Sequence, residues 1–66
     1  MNYSEYLFSC LLKIYDSQFE RLPYDIQFEQ IHERYEEFAN SSFNDEKRSE
    51  YDCIVSFLND KYPIYV

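Results

Sequence analysis

The sequence predicts an all-α fold: a small three-helix up-down-up bundle with a short extended C-terminal tail. Apolar residues recur at spacings of three and four in three successive segments, and residues that cap or break helices lie between them. Composition supplies a third reason. Eight Tyr and six Phe among 66 residues give a short chain enough ring area to build a core.

The first helix is expected over residues 3–21. Asn2 suits the N-cap, and Glu5, three residues later, completes a capping box. Tyr3, Leu7, Leu11 and Ile14 form one row, and Phe8, Leu12, Tyr15 and Phe19 the next. So wide an apolar face implies packing against both other helices. Leu22-Pro23 ends the segment, because a residue before proline is pushed out of the helical region.

The second helix is expected over residues 24–39, with Pro23 in its first turn and Asp25 and Glu29 near its positive end. Phe28, Ile31, Tyr35 and Phe38 form its buried seam, and Asn40-Ser41-Ser42 breaks it. The third is expected over residues 45–61, capped by Asn44 or Asp45, with a seam of Tyr51, Ile54, Val55, Leu58 and Tyr62. Asp45, Glu46, Glu50 and Asp52 serve its N-terminus, and Pro63 stops it. In such a bundle the outer two helices run parallel, which sets Cys10 and Cys53 at one level of the core. They read as two small buried hydrophobes or as a disulfide.

Thirteen acids against six bases give a net charge of −7, which points away from direct binding of nucleic acid or an anionic membrane and toward a basic protein partner. The N-terminus lacks the basic region of a leader and no stretch is apolar for long enough to span a membrane, so a cytoplasmic chain with reduced thiols is expected. The absence of glycine argues against phosphate loops and nucleophile elbows. His32 is the single histidine. Glu29-x-x-His32 forms half of a bundle di-metal motif and His32-x-x-x-Glu36 sets a second ligand type beside it, but the motif needs such a pair twice. The expectation is a binding protein, monomer or homodimer, without catalysis, metal or cofactor.

Asp25, Glu29, Glu33 and Glu37 recur every four residues, about 6 Å apart along a helix axis, and Glu36 stands beside them. Like charges at this spacing repel by a few tenths of a kcal/mol per pair. The row is either a solvated helix face or an imitation of a phosphate backbone that fits a basic nucleic-acid channel. Tyr6, Tyr24, Tyr62 and Tyr65 fall at element ends or off the seams, where a ring packs on the bundle or anchors a partner.

Ser4-Glu5-Tyr6-Leu7, Glu20-Arg21 and Leu58-x-Asp60-Lys61-x-Pro63 resemble points in the Hha family of nucleoid-associated modulators, with an insertion needed in the middle. That family is all-α and binds the H-NS silencing protein, so the resemblance implies a protein-binding regulator. In size and composition the chain is also similar to the small acidic proteins that phages and plasmids use against host nucleases, anti-CRISPR and anti-restriction proteins among them. The leading expectation is an inhibitor of a nucleic-acid-binding protein, acting through Asp25, Glu29, Glu33, Glu36 and Glu37. The alternative is a regulatory adaptor or subunit that binds through Tyr24, Tyr62 and Tyr65.

Overall fold

The structure, a computed structural model, describes residues 2–62. It contains α1 (Tyr3–Tyr15), a single 3₁₀ turn (Phe19–Arg21), α2 (Tyr24–Ala39) and α3 (Glu50–Lys61), with no strand among the described residues. The chain is an all-helical three-helix bundle. The expected extended tail, Tyr65 included, lies outside the described residues.

The start of α1 is the expected one: Asn2 Oδ1 accepts the Glu5 N–H at 2.8 Å. Its end is not. The helix stops at Tyr15, because Asp16 leaves the helical region and uses its carboxylate twice, accepting the Gln18 N–H at 3.1 Å and Arg34 at 3.3 Å. Asp offers the backbone such local alternatives to a helical bond. The 3₁₀ turn that follows hangs on the Asp16 carbonyl, which accepts the Phe19 N–H at 3.1 Å, and it turns Phe19 into the core.

The bounds of α2 match the expected ones, but Pro23 stands just ahead of the first turn, as the N-cap with extended ψ, and not within it. Its buried face, however, includes Gln27, whose Nε2 donates to the Leu22 carbonyl at 2.8 Å and the Glu20 carbonyl at 3.3 Å. These bonds tie the 3₁₀ turn to α2. Phe28, one residue and about 100° further round the helix, is exposed, which corrects its assignment to the seam.

The third helix starts at Glu50 instead of Asp45. The Asp45 carboxylate closes its own turn by accepting the Lys47 N–H at 2.9 Å, so the cap falls to Ser49, whose hydroxyl accepts the Asp52 N–H at 3.1 Å. Glu50 and Asp52 lie in the first turn as expected, whereas Asp45 and Glu46 belong to the preceding loop. The seam of α3 is rotated toward Cys53 and Phe57, which leaves Tyr51 exposed and Val55 half-buried at its edge. Phe57, not expected in the core, is one of its centres. Its ring lies 5.5 Å from Phe38, 5.9 Å from Phe43 and 6.1 Å from Phe8.

α1 is the element the other two share. Ser4 donates to Glu50 at one end and Tyr15 to Asn59 at 2.8 Å near the other, so α1 and α3 run parallel. The contacts with α2 are different. Glu5 and Asp16, at opposite ends of α1, reach His32 at 4.0 Å and Arg34 at 3.3 Å. Two positions so far apart on α1 meet near neighbours on α2 only if α2 crosses it steeply. The result is flat, with extents of 35 × 33 × 16 Å.

Cys10 is exposed and Cys53 buried, and both thiols are free. This corrects the paired placement in the core. Ser9 takes the inward position beside Cys10, donating its hydroxyl to the Tyr6 carbonyl at 2.7 Å. Tyr3 and Ile14, expected in a buried row, are exposed as well, because they lie on the face of α1 turned away from both neighbours.

Candidate functional site

A spacing of four residues exceeds one helical turn by roughly 40°, so Asp25 and Glu37 point about 120° apart. The four carboxylates therefore wind around α2 instead of lining a single face. The winding separates their environments. Glu37 comes round to α3 and forms an ion pair with Lys61. That contact, a charge-assisted hydrogen bond first and a Coulombic attraction second, holds the Lys61 ammonium above the usual lysine value of 10.5. Glu36 takes His32, whose Nε2 lies 3.3 Å from Glu36 Oε1 and whose Nδ1 lies 4.0 Å from Glu5 Oε1.

Asp25, Glu29 and Glu33 remain. All three are exposed, and no Lys, Arg or His lies within 4.0 Å of them among the described residues. Arg34, the one Lys or Arg of α2, is engaged elsewhere. It donates to Asp16, to Gln30 Oε1 at 3.0 Å and to the Tyr62 hydroxyl, and its guanidinium lies 5.9 Å from the Phe19 ring centre and 5.8 Å from that of Tyr62. The outer edge of α2 is thus uncompensated negative charge.

The aromatic candidates part in a similar way. Tyr62 is half-buried and engaged by Arg34, whereas Tyr24 is 80% exposed at the start of α2. Tyr24 borders a shallow cleft of about 220 Å³ between α1 and α2, lined also by Tyr6, Ser9, Lys13, Gln27, Phe28 and Ile31. Phe28 was missed as a surface residue because its spacing from Ile31 reads as seam, and only the hydrogen bonds of Gln27 reveal the rotation.

A second cleft, about 250 Å³, opens where the three helices meet and carries Arg34, Glu37, Lys61 and Tyr62 on its wall. Its cations are spent on Asp16 and Glu37. No group of three or more His, Cys, Asp or Glu side chains able to hold a metal occurs among the described residues, so the Glu29/His32/Glu36 spacing gathers no further ligand there. No helix there is long and apolar enough to cross a membrane. Compared with known proteins, the chain matches no family model, no curated protein and no solved structure.

Proposed function

We propose that this chain is a non-catalytic binding protein whose outer α2 edge, Asp25, Glu29 and Glu33 with Glu36 beside them, docks on a basic surface of another protein. The partner that fits best is one whose basic surface holds nucleic acid, and occupying that surface would inhibit it. Such an inhibitor needs no cofactor and touches no nucleic acid itself. The observation that supports this reading is the set of three exposed carboxylates with no cation beside them.

Their repulsion has a cost in a small domain, and an Arg or Lys partner would relieve it. The charge density is modest. One carboxylate per roughly 6 Å is about half that of a single DNA strand, so Glu36 matters to the match. Charge reversal tests the reading. The E29K/E33K variant is expected to bind the captured partner at least roughly tenfold more weakly at low salt while keeping the helical content of the parent. Unchanged affinity would refute it.

The exposure of Tyr24 and Phe28 beside Tyr6 favours a second reading, a small regulatory subunit that associates through aromatic surface. The resemblance to the Hha family points in the same direction. In that case binding tolerates salt, and Y24A/F28A weakens it more than E29K/E33K does.

A further inference from the structure

Tyr3, Tyr6, Cys10 and Ile14 succeed one another at spacings of three, four and four, so they share one face of α1. All four are exposed, Tyr3 by 74%, Tyr6 by 60% and Ile14 by 76%. Tyr6 continues this strip across the cleft to Tyr24 and Phe28 of α2, exposed by 80% and 61%. In a chain carrying 13 acids, none of these positions is a carboxylate, and Lys13 is the one charged residue among those lining the cleft.

We infer that this face is the interface of a two-fold symmetric homodimer. Area is the first reason. Four rings at these exposures, with Ile14, offer on the order of 600 Å² per chain, taking about 200 Å² for a whole ring. Doubled by symmetry, that is about 1,200 Å², the lower end of specific protein interfaces. Composition is the second: aromatic residues with charge at the margin are what an interface core uses.

Charge is the third. Two copies that each carry −7 repel, so they can meet only where the acids are not. Lys13, the one charge that lines the cleft, is exposed and has no ion pair among the described residues. With the two α1 helices antiparallel, Tyr3 faces the second Ile14, and the two Cys10 residues stand about 4.5 Å apart along the axis. This association does not depend on the acidic α2 edge, and it responds oppositely to salt.

Sedimentation equilibrium of the whole chain tests it, from about 5 to about 300 µM and from about 0.05 to about 0.5 M salt. A concentration-dependent rise from 8.2 kDa to twice that mass is expected, undiminished or strengthened by salt as repulsion is screened. The Y6E/F28E variant should remain at 8.2 kDa with the parent's circular dichroism. On the unaltered sequence, a short bismaleimide should link two chains through Cys10, and C10S should abolish the link because Cys53 is buried. A chain that is monomeric throughout, a dimer that survives Y6E/F28E, an open series of larger species, or failure of the crosslink would each overturn the inference. Monomeric chains whose capture of another protein is lost in Y6E/F28E would assign the face to that protein instead.

Discussion

Lys61 of α3 and Glu37 of α2 form an ion pair at the point where the winding acidic row turns inward. Glu37 is thereby removed from the set of free carboxylates, and α3 is tied to a helix that otherwise meets it mainly through the aromatic core. The ammonium is held above its usual 10.5, the hydrogen bond from Lys61 to Glu37 being the larger cause. A raised lysine value means that this contribution to stability is complete below 10.5 and is lost as pH rises through the folded value. NMR titration of the Lys61 Cε should therefore show a midpoint above 10.5 that falls back in E37Q. A midpoint equal in the two proteins would remove the pair from the account.

Ser49, not Asn44 or Asp45, caps α3. Ser49→Ala should cost about 1 kcal/mol and lower the melting temperature by roughly 4–8 °C. Asn44→Ala, which breaks only an exposed bond to the Ala39 carbonyl, should shift it less. Thermal melts of the two variants decide the order.

Phe57 and Phe28 exchange the roles that their sequence spacings suggest. Phe57→Ala opens the ring cluster with Phe8, Phe38 and Phe43 and should cost about 3–5 kcal/mol, enough to leave a chain this small largely unfolded. Phe28→Ala removes an exposed ring, and urea denaturation should find the fold almost as stable as the parent.

Arg34 holds Asp16, Gln30 and Tyr62 together across three elements. Its replacement by Ala should cost about 1–3 kcal/mol, since it leaves charged and polar partners without a donor. Lys at the same place should recover only part of this, because one ammonium cannot reproduce the planar fork. Equal stability of R34K and the parent, measured by urea denaturation, would contradict that role.

The three helices were legible because caps and periodicity agree along most of the chain: Asn2 and the seam of Ile31 and Phe38 sit where their chemistry places them. The errors have one origin. Asp16, Gln27 and Asp45 form side-chain bonds to backbone that stop or rotate a helix, and the apolar spacing carries no trace of them. The candidate site suffered from the same blindness. A four-residue repeat reads as one face until its drift of roughly 40° per step is set against the positions of the neighbouring helices. Only then do Glu37 and Glu36 separate from Asp25, Glu29 and Glu33.

Competition with nucleic acid tests the acidic α2 edge most sharply. Partners captured by the immobilised chain from a lysate of its own cell are challenged with duplex DNA or structured RNA, beside the E29K/E33K variant and a series of rising salt. The expected eluate holds a nucleic-acid-binding protein that is displaced by the polynucleotide, released by salt and absent when the variant is the bait. Capture that survives both competitor and charge reversal would contradict it.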